Sequence, residues 1–438
     1  MQLDYGRTLM GDSLGFHIIF ALLGVGIPLL VSLSELLGIV RHDILYTTMA
    51  KRWSYVMSVL FVTGAISGMI ISTQLSTLWP TFMALAGKVI GLPFFLEGFA
   101  FFIEAIFLGI YLFTWKRFKN PYIHWLCSLP IVLGSVASAF FITTANAFMN
   151  SPAGFTYKHG IASNIDPIKA MFNQATPTET THSIVSYYLT TCLFFAGMYA
   201  LFLFKSKIND KKELKRKMYY KKTITFLVCV SFIFVLLIGL TGDSSAKYLA
   251  QSEPLKLAAA EGLYTTQTNA PLQVLGITTN HGVLHALTIP GLLSFLSFGS
   301  TQARVLGLNY FNPTLWPPLW IHYMFDFMVG SGIFITIIPL LFLLLARFKK
   351  AFAFSKIMLL LLFLSGVVSF CAVEFGWILT EVGRQPFAIR GIMTTKQAFT
   401  TSTSVATFGY LFPTLYIFLF AVTIWILKRH YKKNKLDL

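Results

Sequence analysis

The stretch LPFFLEGFAFFIEAIFLGIYLFTW, residues 92–115, is apolar over the whole width of a bilayer except for two carboxylates. A hydrocarbon core about 30 Å thick is crossed by about 20 helical residues, so a run of this length reads as a membrane span. Eight other runs share its character, which gives spans near 14–40, 53–73, 92–115, 122–147, 182–204, 223–241, 317–346, 357–380 and 400–427. Backbone groups find no water partners in lipid, so each run is expected to be helical, and the period-two alternation of a membrane barrel is absent. The expected fold is an all-α polytopic bundle of about nine transmembrane helices, a single membrane domain covering 1–438.

Composition agrees. Of 438 residues, 55% are hydrophobic and 12% charged, Phe alone accounting for 43. Soluble chains carry about 25% charged residues, so a water-soluble globule is excluded. The 34 Lys and Arg exceed the 17 Asp and Glu by enough to give a net charge of +17, which in a soluble chain would suggest nucleic acid. Here the basic residues gather between apolar runs, and no nucleic-acid partner is expected. Most of them fall in alternate connections, 41–52, 115–121, 205–222, 346–356 and 428–438. The positive-inside rule then places the N-terminus outside and the C-terminus in the cytoplasm. The start MQLDYGRTLMGDSLGFH lacks the pattern of a cleavable signal, so insertion is expected to rely on the first span. Cys127, Cys192, Cys229 and Cys371 stand singly in different apolar runs without metal-type spacing and read as packing.

Two outer connections are long, 148–181 and 242–316. The second mixes PLKLAAAEGLYTTQ, IPGLLSFLSFG and PTLWPPLW. A connection of that length with structure of its own is usually functional.

Ionisable residues inside a membrane are costly, about 2.5 to 3.5 kcal/mol each even on lenient scales, so each needs a partner or a task. They are His17, Glu35, Glu97, Glu104, His124, His182 and Asp326, with Glu374, Glu381 and Arg384 at the end of span eight. Glu97 and Glu104 stand seven residues apart, nearly on one helix face, and such a column could pass protons or bind a metal. His17, His182 and Met328 carry the side chains that commonly ligate haem iron. Each alone reads as well as a packed core residue. No CxxCH is present, so covalent haem attachment is unsupported. These residues by themselves reach a polytopic protein with a buried polar or redox site, with candidates from five spans falling toward the outer face.

Several segments are more specific. EVGRQPFAI (381–389), with Trp377 four residues before Glu381, resembles the GRQPW signature of subunit I of cytochrome bd, the quinol oxidase that reduces oxygen to water without copper. EGFAFFIEAIFLG (97–109) is similar to that family's two-glutamate helix, ANAFMNSPAG (145–154) to the end of its fourth span, and KLAAAE (256–261) to the start of its quinol-associated outer loop. The resemblance covers essentially the whole chain.

It implies a terminal oxidase of the prokaryotic cytoplasmic membrane that oxidises quinol and reduces O2 with cytoplasmic protons. By the resemblance, His182 and Met328 are the axial ligands of a low-spin haem b. His17 and Glu381 serve a high-spin haem b and haem d, without it being decided which serves which. Glu97 lies beside that pair, and Glu104 with Ser138 belongs to a proton route. Lys256 and Glu261 handle quinol within the 242–316 loop. Arg384 and Arg7 offset propionates or the Glu381 carboxylate, and Trp377 belongs to the haem surroundings. A homologous subunit II, with room for a small extra subunit, is the implied partner.

Some positions depart from the family pattern. The two span-three glutamates are seven rather than eight residues apart, Asp326 stands where Arg is usual, and Phe387 replaces the closing Trp of the signature. These changes leave a third haem b in place of haem d, or an all-haem-b electron-transfer subunit, as alternatives. A proton-coupled secondary transporter is the rival from another class, and the absence of an inverted repeat argues against it.

Overall fold

The computed structural model describes residues 2–206, 211–400, 405–434 and 436. Residues 207–210 of the basic connection, 401–404 at the start of the ninth expected span, and 435, 437 and 438 of the basic tail lie outside the described residues. Among the described residues, 9 helices are long and apolar enough to cross a membrane. They are α1 (Gln2–Val40), α2 (Ile44–Leu78), α3 (Gly91–Phe113), α4 (Leu129–Asn150), α5 (Thr176–Lys205), α6 (Lys211–Ser252), α7 (Ile321–Phe348), α8 (Lys356–Val382) and α9 (Val405–Lys433).

Several helices outrun the expected spans because hydropathy sees only their lipid-embedded middles. The polar segment before residue 14 is already helical in α1. The helix α6 reaches eleven residues past the expected end at 241, where Asp243 and Lys247 pair at 2.6 Å across one turn. The outer connection thus begins at 253 rather than 242. Span four is split: Pro121–Leu126 forms a short helix capped by the Asn120 side chain, and α4 starts afresh with Pro130 in its first turn.

Glycines decide where helices touch. A side chain at Gly197 of α5 would come within 2.9 Å of the Leu362 carbonyl on α8, and one at Gly366 within 2.9 Å of the Leu193 carbonyl. These reciprocal glycines let the two backbones close up, a mode of association suited to lipid, where apolar surface gains nothing by hiding. Gly134 of α4 sits against the Glu104 backbone of α3 in the same way. The core is aromatic as well as aliphatic: Trp53 is fully buried and donates its Nε1–H to Tyr199 Oη at 3.1 Å.

The second long outer connection carries the short helix Pro254–Ala260, antiparallel pairings of Leu272–Val274 with Leu287–Ile289 and of Ile277–Thr278 with Val283–Leu284, and the helix Leu292–Phe298.

Candidate functional site

The two histidines read as ligands are prepared in the same way. His17 Nδ1 lies 2.8 Å from Ser67 Oγ on α2, and that hydroxyl already donates to the Gly64 carbonyl. His182 Nδ1 lies 3.1 Å from Thr241 Oγ1 on α6, a hydroxyl that donates to the Leu237 carbonyl. Where the hydroxyl proton stays on its helix carbonyl, the ring donates from Nδ1. Its lone pair is then left on Nε2, which meets no hydrogen-bonding group among the described residues. A neutral imidazole oriented through its other nitrogen is the form that binds a metal.

Met328 on α7 points its sulfur at α8, where a side chain at Gly376 would come within 3.1 Å of Sδ. His182 faces Gly242 of α6. At Gly376 a side chain would crowd the Met328 sulfur, whereas at Gly242 it would only reach ordinary contact with the His182 ring. No group of three or more His, Cys, Asp or Glu able to hold a bare metal ion occurs among the described residues. The donor set, isolated His and Met with glycine-lined approaches and unpartnered polar atoms beside them, fits a haem instead. Those atoms are Arg384 Nε and Glu374 Oε1, both buried without a protein partner. Glu374 presses its other oxygen toward Gly15, two residues from His17.

The end of α8 meets the end of α4. Arg384 Nη2 donates to Glu381 Oε2 at 2.6 Å, and Asn146 Nδ2 donates to Glu381 Oε1. Arg384 Nη1 reaches Asn150 Oδ1 at 3.2 Å, and the same oxygen accepts from Lys256 Nζ at 3.0 Å. Lys256 is 6% exposed and pairs with Glu253 at 2.5 Å. Trp377 donates to Tyr187 Oη at 3.1 Å, which ties α8 to α5 one turn beyond His182.

Other expected residues separate. Lys256 and Glu261 share neither hydrogen bond nor ion pair. Glu261 caps the far end of the short helix near Asp326, and burial, followed by repulsion from Asp326, pushes its carboxyl up to about 8. Arg7 makes no hydrogen bond or ion pair with Glu381 or Arg384 among the described residues; it lines an outer hollow of ≈ 480 Å³ with Trp316, Gln385 and Pro386. Ser138 donates to Glu97 at 3.1 Å rather than to Glu104. Glu104, 6% exposed, has no hydrogen-bond partner among the described residues.

Three roles went unseen in the sequence. Asp326 accepts from the Leu275 amide at 2.5 Å, so the reversed charge clamps a turn of the outer connection whose Leu275 has a φ of 60°. Asn150 is fully buried and bonds four side chains. Glu35 and His124, noted singly, form a pair at 2.5 Å, with Tyr111 donating to the second Glu35 oxygen at 2.7 Å. The motif ANAFMNSPAG carried Asn150, but nothing local marks a hub. Tyr111 stands seven residues after Glu104 on α3, a spacing that could have flagged it.

The chain matches the family model described as cytochrome bd terminal oxidase subunit I over residues 5–435. It is 35% identical over 438 residues to a Bacillus subtilis protein assigned as a cytochrome bd menaquinol oxidase subunit I, covering 100% of this chain and 98% of that one. It is 31% identical to cytochrome bd ubiquinol oxidase subunit 1 of Bacillus subtilis, covering 99% of this chain and 94% of the relative. Among solved structures, the bd oxidase from Geobacillus thermodenitrificans superposes with a TM-score of 0.93 at 42% identity, covering 99% of both chains.

Proposed function

This chain belongs to the cytochrome bd terminal oxidase subunit I family, and from that premise we propose that it oxidises membrane quinol near its outer face and passes the electrons to oxygen, which is reduced to water with protons from the cytoplasm. His182 and Met328 would hold a low-spin haem b, and His17 and Glu381 a high-spin pair of haem b and haem d. Haem supplies the one-electron carrier and the oxygen-binding iron of this chemistry. The observation that carries the reading is the matched setting of His17 and His182, each held through Nδ1 by a hydroxyl that also lies in hydrogen-bond reach of its own helix backbone.

The residues divide the remaining work. Lys256 offers an ammonium donor to a quinol oxygen, and Glu261, whose carboxyl sits near the working pH, takes up the proton released on oxidation. Arg384 neutralises Glu381 and has a donor to spare at Nε for a propionate. Glu104 and then Glu97, two turns apart on α3, carry protons outward from the cytoplasmic half. Ser138 holds Glu97 for its share of this transfer. Protons consumed at an outer site but drawn from inside move charge across the bilayer, each worth about 2.3 kcal/mol per 100 mV. A homologous subunit II covers part of the apolar surface.

Pyridine haemochrome analysis of the chain purified with its companion tests the assignment. Haem b with a long-wavelength haem d band is the expected result. A preparation without tetrapyrrole overturns the reading, and one with haem b alone moves it to the all-b form.

A further inference from the structure

Asn150 ends α4 with every hydrogen-bonding position of its amide filled by a side chain. Nδ2 donates to Asn146 Oδ1 at 3.0 Å and to Glu179 Oε1 at 2.8 Å, while Oδ1 accepts from Lys256 Nζ at 3.0 Å and Arg384 Nη1 at 3.2 Å. An amide has two donors and two lone pairs, so nothing is left over. Its oxygen is held between two cations and its nitrogen faces a carboxylate, so the amide cannot flip without opposing charge on both ends.

The partners come from three other parts of the chain. Glu179 opens α5 three residues before His182. Lys256 lies on the short helix Pro254–Ala260. Arg384 follows α8 and grips Glu381. Two like charges share the one oxygen, and each is balanced on its far side: Lys256 by Glu253 at 2.5 Å, Arg384 by Glu381 at 2.6 Å. Asn150 therefore bridges two ion pairs, Lys256–Glu253 buried and Arg384–Glu381 with its carboxylate half-buried.

An ammonium has three N–H donors. Asn150 accepts one of those of Lys256 while the Glu253 carboxylate stands 2.5 Å from the nitrogen as its counter-ion, so the two together restrict the directions in which a donor is left for a ligand oxygen. Without Asn150 the ammonium could turn about the Glu253 contact, and Arg384 would lose the neutral acceptor that holds it at its present angle to Glu381.

We propose that Asn150 is a positioning residue for quinol oxidation: it aims the free Lys256 donor and, through the same oxygen, holds Arg384 on Glu381, so that the quinol site and the high-spin haem site share one mechanical link. This rests on Lys256 being the quinol cation, as proposed above.

The test uses the complete oxidase with its companion subunit and the variants Asn150→Leu, Lys256→Met and the double substitution. Steady-state quinol titrations and optical redox titrations of the haems are the two readouts. Because a hydrogen bond to a charged group is lost, Asn150→Leu should raise KM about tenfold, more than it lowers kcat. The double variant should have the KM of Lys256→Met, because the two residues act through one ammonium. The high-spin haem midpoint should shift in Asn150→Leu by about a threefold change in reduction equilibrium, since that substitution releases Arg384. Additive KM effects, or an unshifted high-spin haem, overturn the inference. A normal KM in Lys256→Met brings down the quinol reading itself, and the inference with it. A raised KM there with no change in Asn150→Leu brings down the inference alone. Should Asn150→Leu fail to retain haem, Asn150→Gln carries the same readouts: its amide, one methylene longer, displaces the oxygen and must move both, and movement of neither overturns the inference.

Discussion

The two ends of the bundle bury polar side chains to opposite effect. Toward the cytoplasm, Glu35 accepts from His124 at 2.5 Å and from Tyr111 at 2.7 Å. The other His124 nitrogen reaches the Tyr111 carbonyl at 3.0 Å, and Trp125 and Ser128 both donate to Ser32. Each group there has its partner. Toward the outside, Arg384 Nε, Glu179 Oε2, Glu261 Oε2 and Glu374 Oε1 are buried without one among the described residues. Buried polar groups in folded proteins are nearly always satisfied, so a cluster that closes on itself reads as architecture and a cluster with open atoms reads as a site. Number of charges does not separate the two ends; completeness of pairing does.

The strongest way to break that contrast is to open the closed end. His124→Leu leaves Glu35 buried without its pair, and removing one partner of a buried pair costs about 3–5 kcal/mol. Thermal unfolding in detergent should show the loss while the haem spectrum of the folded fraction stays as in the parent. A changed spectrum with unchanged stability would mean that the cytoplasmic cluster belongs to the site after all.

Between the two ends stands Glu104, buried and without a hydrogen-bond partner among the described residues. Glu104→Leu should slow reoxidation of the haems by oxygen about a hundredfold, the usual scale of a lost proton-transfer group, with haem content intact. Stopped-flow mixing of reduced enzyme with oxygen measures it, and unaltered turnover excludes Glu104 from the route.

The preparation of the histidines gives a smaller effect. Thr241→Val removes the acceptor on His182 Nδ1, and loss of such an outer partner weakens metal binding by about tenfold or more. Haem retention on dilution should fall for the low-spin haem and not for the high-spin pair. Ser67→Ala should do the reverse through His17.

The mildest effect is a pH profile. Glu261 is outside the spans, and its raised carboxyl is mostly protonated at neutral pH and becomes a proton acceptor as pH rises through about 8. Its deprotonated fraction, and with it kcat/KM for quinol, should increase about fivefold from pH 7 to pH 8. Glu261→Gln should flatten that limb. Stability runs the opposite way: a carboxyl raised in the folded state binds more protons than in the unfolded chain, so its contribution to stability falls as pH climbs from the ordinary carboxylate range through 8.

How much of this was legible varies residue by residue. Glu97 and Glu104 declare a shared face by their spacing, because a helix repeats every 3.6 residues and lipid forces the helix. The pairing of Arg384 with Glu381 came from the resemblance of EVGRQPFAI to a family signature, and the two meet at 2.6 Å at the end of α8. Asp326, a puzzle as a reversed charge, became plain only when the Leu275 amide was found 2.5 Å away across the outer connection. Ser138, expected in one proton route with Glu104, donates to Glu97, since which of two registered carboxylates a neighbouring helix meets depends on how far the helices slide past each other.

The chain alone thus fixed the bundle of membrane helices and, through the run of its motifs, the family, because burial in lipid and helical periodicity act locally and leave their record in the order of residues. Packing decided the rest: that Asn150 joins Lys256 to Arg384, that Thr241 and Ser67 meet the Nδ1 atoms of His182 and His17, and that Glu35 closes on His124. Those contacts join residues tens to hundreds of positions apart. Their formation depends on helix rotation and crossing, which close approach at glycines such as Gly197 and Gly366 sets and no short stretch of sequence records.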